Sequence, residues 1–249
     1  MDRWVRVLLD GVDGAPRAGR LDGDRVLLDG GGQVRFSPEQ LDVPCVPSKI
    51  IGVGTNYRAH ALEMKKPLPE EPLLFMKPPS ALIRTGAPIV RPNGYQRTDY
   101  EGELGVVIGR RARRVREADA LDYVAGYTIV NDVTVRDLQV KDGQFTRAKG
   151  FDSFCPVGPC VVSGIDPSNL RIITRLNGEV RQDSSTSDLI FSVAKIIEVA
   201  SRVMTLEPGD LISTGTPSGV GPIAPGDVVE IEIEDIGILR NPVIAEEER

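Results

Sequence analysis

Along most of the chain, apolar residues either alternate with polar ones or run in short unbroken stretches between Gly and Pro, a pattern that predicts strands rather than helices. Strands are expected over residues 50–54, 73–77, 101–108, 124–133, 161–163, 171–176, 180–184, 210–214 and 228–234. Asn177-Gly178, between two of these runs, is a hairpin signal because both residues tolerate the positive φ of a tight turn. Helical spacing is clearest over 192–204, where Val193, Ile196, Ile197, Ala200 and Val203 recur on one face behind Ser192 as N-cap. One such helix among many strands argues against a doubly wound α/β chain and for an α+β chain built on a mixed β-sheet. Residues 1–47 carry β-like runs at 5–9 and 25–28 between Gly-rich turns, and are read as a small β-rich N-terminal segment. Val46-Pro47-Ser48-Lys49 links it to a main domain over 48–249.

Composition narrows the function classes. A chain of 249 residues can bury a substantial core without staples. Its net charge of -6 supplies no basic face for phosphate neutralisation, so no nucleic-acid partner is expected. Arg110, Arg111, Arg113, Arg114 and Arg116 are followed at once by Glu117 and Asp119 and read as a solvated turn. No apolar run approaches the ~18 residues of a membrane span, and the stretch from Met1 to Leu9 is too short and charged for a secretory core. A cytoplasmic protein with no membrane partner is expected. Cys45, Cys155 and Cys160 are odd in number and lack CxxC spacing, which fits free thiols better than disulfides or zinc.

The informative stretch is Tyr100-Glu101-Gly102-Glu103-Leu104-Gly105-Val106-Val107-Ile108, which puts two glutamates at i and i+2 on one face of a buried strand. Tyr100, Leu104, Val106 and Ile108 are left for the opposite face. Two like charges held close out of water must be neutralised. Asp132, at the end of an apolar strand, is on its own equally an N-cap for a short helix near 135–140. With Glu101 and Glu103 it completes an all-oxygen triad suited to Mg²⁺ or Mn²⁺, with Ca²⁺ fitting the same donors. Lys149, in a constrained loop beside Gly150 and Phe151, is either a surface lysine or the cation an anionic substrate needs. His60 and Glu63, at i and i+3, are either a solvent-facing pair or a general base oriented by an acid. The Pro67 to Pro72 stretch that follows reads as mobile, which suits a lid. The Gly-rich run from Ser213 to Gly221 is either a plain turn or a carboxylate cradle. It lacks Gly-Lys-Ser/Thr, and Gly52-Val53-Gly54 lacks a third glycine, so no nucleotide cofactor is implied.

Six segments in register carry a resemblance. They are Gly54-x-Asn56-Tyr57-x-x-His60-x-x-Glu63, Phe75-x-Lys77-Pro78, Asp99-Tyr100-Glu101-Gly102-Glu103-Leu104, Asn131-Asp132-x-Thr134-x-Arg136-Asp137-x-Gln139, Lys149-Gly150-Phe151-Asp152 and Thr214-Gly215-Thr216-Pro217-x-Gly219-Val220-Gly221. Together, over roughly residues 50–240, they resemble the fumarylacetoacetate hydrolase family in its bacterial short form. The resemblance implies a mixed β-sheet roll, a homodimer and a divalent metal on Glu101, Glu103 and Asp132. It implies further that His60 and Glu63 form the base on a mobile lid, that Lys149 is catalytic, and that Gln139, Thr216, Arg58 and Lys77 bind substrate.

The expected activity is C–C bond chemistry on a small anionic 2-oxo acid through a stabilised enolate, with acylpyruvate or fumarylpyruvate hydrolysis first. Oxaloacetate-type decarboxylation and 2-hydroxyhepta-2,4-diene-1,7-dioate isomerisation or tautomerisation are alternatives on the same site. A metal-stabilised interaction protein is the non-enzyme alternative. A glycosidase fits poorly, because its two carboxylates must oppose each other across a bond rather than share one strand face.

Overall fold

The computed structural model describes residues 1–9, 15–65 and 67–247. Eleven strands form the main sheet. Its order is Gln33–Arg35, Arg25–Leu28, Arg17–Asp22, Asp2–Val7, Cys155–Ser163, Val124–Asn131, Gly102–Ile108, Leu211–Ser213, Ile50–Gly54 and Leu73–Lys77, with Leu82–Ile83 beside Cys155–Ser163. Most pairs are antiparallel, but Leu211–Ser213 runs parallel to Ile50–Gly54. A five-stranded sheet, Glu179–Ser185, Arg171–Leu176, Val228–Ile233, Gly237–Ala245 and Ile89–Arg91, covers one face of the first. A three-stranded sheet joins Thr134–Val135, Thr98–Tyr100 and Gly221–Pro222. The few helices are short, and the class is the mixed-sheet α+β arrangement that the alternation predicts.

Strand Gly102–Ile108 shows why the motif region is buried throughout. Leu104, Val106 and Ile108 pack into the main core with Ile172, Val229, Ile231 and Ile233 of the second sheet. Val107, on the alternate face, packs with Ile50, Val130 and Leu211 in a second core. Every residue of the strand is buried, so the two glutamates enter the interior with it.

Three expectations change. The strand expected over 101–108 is interrupted at Glu101: Thr98–Tyr100 belongs to the three-stranded sheet and Gly102–Ile108 to the large one. The nine-residue strand Gly237–Ala245 was not expected, because Asn241 and Pro242 break the apolar pattern. Pro242 pairs with Val228 all the same, and its neighbour Val243 registers with Ile89. Val203 does not join the buried face of its helix but is 66% exposed. The rest of helix Val193–Val203 matches: Ser192 Oγ accepts the Lys195 N–H at 3.1 Å, and Val193, Ile196, Ile197 and Ala200 are buried.

Other local readings hold. Asn177 and Gly178 take φ values of 55° and 83°, both left-handed, in the turn between Arg171–Leu176 and Glu179–Ser185. The arginine cluster is spent locally: Arg113 donates to the carbonyls of Ser201 and Arg202 at a helix C-terminus, Arg110 to Asp122 O, and Arg111 and Arg116 pair with Glu207 and Asp119. All three cysteines are free and buried. Burial pushes the Cys45 and Cys155 thiols up to about 12, which leaves them unreactive. Among the described residues no helix is long and apolar enough to cross a membrane. Strand Asp2–Val7 hydrogen-bonds to Cys155–Ser163, making the N-terminal strands continuous with the main sheet.

One close approach ties the sheet to the chemistry. A Cβ on Gly52 would lie 2.1 Å from Phe75 Cζ, so only glycine leaves room for that ring. Gly52→Ala is expected to destabilise the fold by about 1–3 kcal/mol in urea unfolding, as over-packed cores do. An unchanged midpoint would show that Phe75 can move freely.

Candidate active site

Strand register brings the acids together. Gly102 pairs with Asn131 across the antiparallel ladder, and Asp132 N–H donates to Glu101 O at 2.9 Å. Glu101 and Asp132 therefore lie side by side, with Glu103 two residues along the same strand. One oxygen from each of the three lies within 4.8 Å of the others, and all three residues are buried. Asn131 Oδ1 accepts the Glu101 N–H at 2.9 Å and holds the chain where it passes between sheets.

Cations surround two of these acids. Lys149, at the end of the one-turn helix Thr146–Lys149, donates to Glu101 Oε2 at 2.7 Å, to Thr134 Oγ1 at 2.8 Å and to Asp132 Oδ2. Its ammonium also stands 5.0 Å from the centre of the Phe75 ring. Burial works against the Lys149 charge, but Asp132 and Glu101 outweigh it and hold the group above the ordinary lysine range. Arg136, on helix Arg136–Asp142, donates to Glu101 Oε1 at 2.6 Å, Asp99 Oδ2 at 2.8 Å and Gln139 Oε1 at 2.9 Å. Burial likewise pushes Glu101 up, yet Lys149 and Arg136 dominate and hold it far below the usual carboxylate range.

Glu103 has no such partner. Ser213 Oγ donates to its Oε2 at 2.5 Å and Gly215 N–H at 2.8 Å, but among the described residues no cation pairs with it. Burial, then the charges of Asp132 and Glu101, push its carboxyl up to about 8. Gly215 can aim its N–H there because it sits at φ 101°, where a Cβ would also meet the Asn56 side chain at 2.7 Å. A buried carboxyl starved of positive charge, beside two more hard oxygens, is a donor set that could hold a divalent cation.

The histidine lies over the same cleft. His60 is 7% exposed on helix Arg58–Glu63, and its Nδ1 is 2.9 Å from Glu63 Oε2. Glu63 Oε1 accepts the Gly219 N–H at 3.1 Å. An ionised carboxylate only accepts, so Nδ1 carries the proton and Nε2 keeps a lone pair in the neutral ring. The helix is docked: Asn56 Nδ2 donates to Thr214 O at 2.7 Å, and Arg58 Nη1 to Leu189 O at 3.1 Å. The cleft bounded by His60, Phe75, Glu101, Glu103, Asp132, Arg136, Gln139, Phe145, Lys149 and Thr216 holds about 30 Å³. That is room for roughly two waters.

The expected residues are thus not all in one place. His60, Glu101, Glu103, Asp132, Gln139, Lys149 and Thr216 line the cleft, and Glu63 stands behind His60. Lys77 is brought near but not into it: its Nζ lies behind Asp132, 2.5 Å from Oδ1 and 2.8 Å from Phe154 O, and it faces no cleft. Arg58 is turned away, toward the carbonyls of Asp188 and Leu189. Both were expected to bind substrate, and neither is among the residues that line the cleft. Arg136, Ser213 and Phe75 were not singled out. Arg136 had a signal in its i, i+3 relation to Gln139; Ser213 had one only as the first residue of the Gly-rich run read as a turn or a carboxylate cradle.

The match to a family model, Fumarylacetoacetate (FAA) hydrolase C-terminal, spans residues 49–244. The chain belongs to the fumarylacetoacetate hydrolase family. Within this family it is 48% identical over 212 residues to oxaloacetate tautomerase YisK of Bacillus subtilis, covering 79% of this chain and 70% of that protein. Its fold matches the crystal structure of 2-hydroxyhepta-2,4-diene-1,7-dioate isomerase from Mycobacterium marinum at TM-score 0.88 and 40% identity, over 100% of each chain. It also matches maleylpyruvate hydrolase from Sphingobium sp. SYK-6, in complex with manganese(II) and pyruvate, at TM-score 0.82 and 31% identity over 98% of this chain and 100% of that one. The mixed sheets are those of the fumarylacetoacetate hydrolase C-terminal domain, whose members include isomerases, hydrolases and tautomerases.

Glu103 sets a pH dependence for cation binding. Its folded pKa is raised, so the folded protein keeps a proton that the unfolded chain has lost, and metal-free stability falls as pH climbs from the ordinary carboxylate range toward about 8. A cation must displace that proton, and its affinity rises over the same window. Mg²⁺ or Mn²⁺ at about a hundred times Kd should add roughly 2.7 kcal/mol, a shift of several degrees in Tm. Scanning calorimetry at constant metal concentration should give a larger shift at about pH 8.5 than at about pH 6. A shift that is absent, or equal at both pH values, contradicts the cation site.

Proposed function

We propose that this chain is a divalent-metal-dependent enzyme that moves a proton in a small 2-oxo dicarboxylate, interconverting keto and enol forms or shifting a double bond. The observation that carries the reading is the His60–Glu63 pair, with Nδ1 2.9 Å from Glu63 Oε2 and the imidazole lining the same cleft as the carboxylate cluster. We assign the cation, as Mg²⁺ or Mn²⁺, to Glu101, Glu103 and Asp132; when bound it supplies Lewis acidity beside the 2-oxo carbonyl.

The chain's own groups do the rest. His60 Nε2 is the base that takes a proton from the carbon next to the carbonyl, and Glu63 stabilises the imidazolium that results. Lys149 and Arg136 hold fixed positive charge where negative charge develops. Arg136 has no acceptor atom, so its bond to Gln139 Oε1 turns the Gln139 amide N–H₂ free to donate to an anionic oxygen. Charge favours an anion: Glu63, Asp99, Glu101, Glu103 and Asp132 stand against Arg97, Arg136, Lys149 and Lys77, so a bound dication would leave the neighbourhood about one charge positive. The tautomerase and isomerase relatives, at 48% and 40% identity, support proton transfer ahead of hydrolysis.

Hydrolytic C–C cleavage is the second reading, favoured by the likeness to maleylpyruvate hydrolase. It uses the same pair, with His60 deprotonating a water that attacks the distal carbonyl. Proton NMR of oxaloacetate, acetylpyruvate and fumarylpyruvate with Mg²⁺, Mn²⁺ or chelator separates the two. The expected outcome is metal-dependent acceleration of oxaloacetate enol–keto exchange, with His60→Ala lowering kcat by about 10²–10⁴. Cleavage of the acylpyruvates without enol–keto exchange would replace the first reading with the second, and activity untouched by chelator would remove the metal from both.

A further inference from the structure

Gly102 lies between the two glutamates, and its peptide groups have an unusual fate. Asp132 N–H bonds to Glu101 O, so the 101/132 pair is a hydrogen-bonded one, and the alternation of an antiparallel ladder turns the N–H and C=O of Gly102 to the other side. The neighbouring strand there, Leu211–Ser213, registers only with Gly105 to Val107. Two buried side chains take its place. Gly102 N–H donates to Gln182 Oε1 at 3.1 Å, and Thr216 Oγ1 donates to Gly102 O at 3.0 Å.

The sense of each bond is fixed by chemistry. A backbone N–H only donates and a carbonyl only accepts, so Gln182 must put its oxygen on Gly102 N–H and its nitrogen on Pro217 O, 2.8 Å away. The same nitrogen donates to Thr216 Oγ1 at 2.9 Å. The Thr216 hydroxyl therefore receives one proton from Gln182 and gives its own to Gly102 O. Re-aiming that proton would orphan a buried carbonyl. One lone pair remains, on a residue that lines the cleft.

We propose that Thr216 acts toward the bound acid only as a hydrogen-bond acceptor, so the site selects the form of its ligand that presents a hydroxyl there: an enol or 2-hydroxy acid rather than the bare ketone. The inference rests on the 2-oxo acid reading above and deepens it. An acceptor that rewards the enol O–H stabilises the enol relative to the keto form on the protein, which flattens the exchange between them.

The test is isothermal calorimetry in saturating Mg²⁺ with two dicarboxylates, malate and succinate, which differ by one hydroxyl. Because that hydroxyl also has affinity for a dication, the deciding quantity is the malate-to-succinate affinity ratio across variants. Thr216→Ser keeps the oxygen and should keep the wild-type ratio; Thr216→Val removes it and should lower the ratio about fivefold to tenfold, the worth of one hydrogen bond. A ratio unchanged in Thr216→Val overturns the acceptor role and leaves the 2-oxo acid reading standing. Should Thr216→Val fail to fold, wild-type protein alone decides: succinate binding as tightly as malate overturns the proposal. If neither acid binds the wild-type protein with Mg²⁺ or Mn²⁺, the proposal is overturned, while the 2-oxo acid reading is decided by the NMR assay above.

Discussion

Buried negative charge is the constraint on which the rest of this structure depends. Asp99, Glu101, Glu103 and Asp132 are each at most 4% exposed, and each would be untenable there without compensation. Their partners come from separate elements: Lys77 from the edge strand Leu73–Lys77, Arg97 from beside Thr98–Tyr100, Arg136 from helix Arg136–Asp142, and Lys149 from a one-turn helix. Short helices that could not hold themselves in water are thereby anchored by what they neutralise. Glu103 is left to a hydroxyl and a peptide N–H, and that deficit leaves the cluster a donor set that could hold a cation rather than a closed ion-pair network.

How much of this could be read from the residues follows from the range of each interaction. The spacing of Glu101 and Glu103, and of His60 and Glu63, is local, and periodicity alone put each pair on one face. Ser192 as a cap and Asn177-Gly178 as a turn are local too. That Asp132 faces Glu101 depends on which strand neighbours which, and no pattern within either strand encodes it. The resemblance supplied that pairing; the residues did not. The same limit explains the two expected residues that do not line the cleft. Lys77 and Arg58 sit in motif segments, but Lys77 ends its strand pointing behind Asp132, and Arg58 caps carbonyls of a turn more than a hundred positions away. Gln182 was illegible for another reason: it lies in the polar strand Glu179–Ser185, where only the packing of one sheet on another makes a single position buried.

The early end of strand Leu211–Ser213 deserves the same physical reading. Stopping after Ser213 leaves the polar groups of its neighbour without a ladder partner just where Glu101 and Glu103 emerge. The following loop supplies the missing partners one by one: Thr214 to Leu104 O, Gly215 to Glu103, Thr216 to Gly102 O. A strand that continued would have satisfied the same backbone groups, but it would have covered the carboxylates. The site exists because the sheet is left open at this point and is closed by side chains and a glycine instead.

That construction also bears on why relatives with one fold differ in reaction. Proton transfer, decarboxylation and C–C hydrolysis of 2-oxo acids all need the negative charge of an enolate to be absorbed, which positive charge fixed in a site can do. What separates the three is which atom of the ligand meets His60 Nε2, and whether a water stands between them. Those are properties of the docked helix Arg58–Glu63 and of the loop from Ser213 to Gly221, which are joined directly through Glu63 and Gly219. The same Gly219 peptide accepts from Tyr100 Oη at 2.8 Å, one residue before Glu101. The helix and the loop that closes the ladder are thus tied to each other through one carboxylate and one peptide N–H, and a change in the position of either bears on the other.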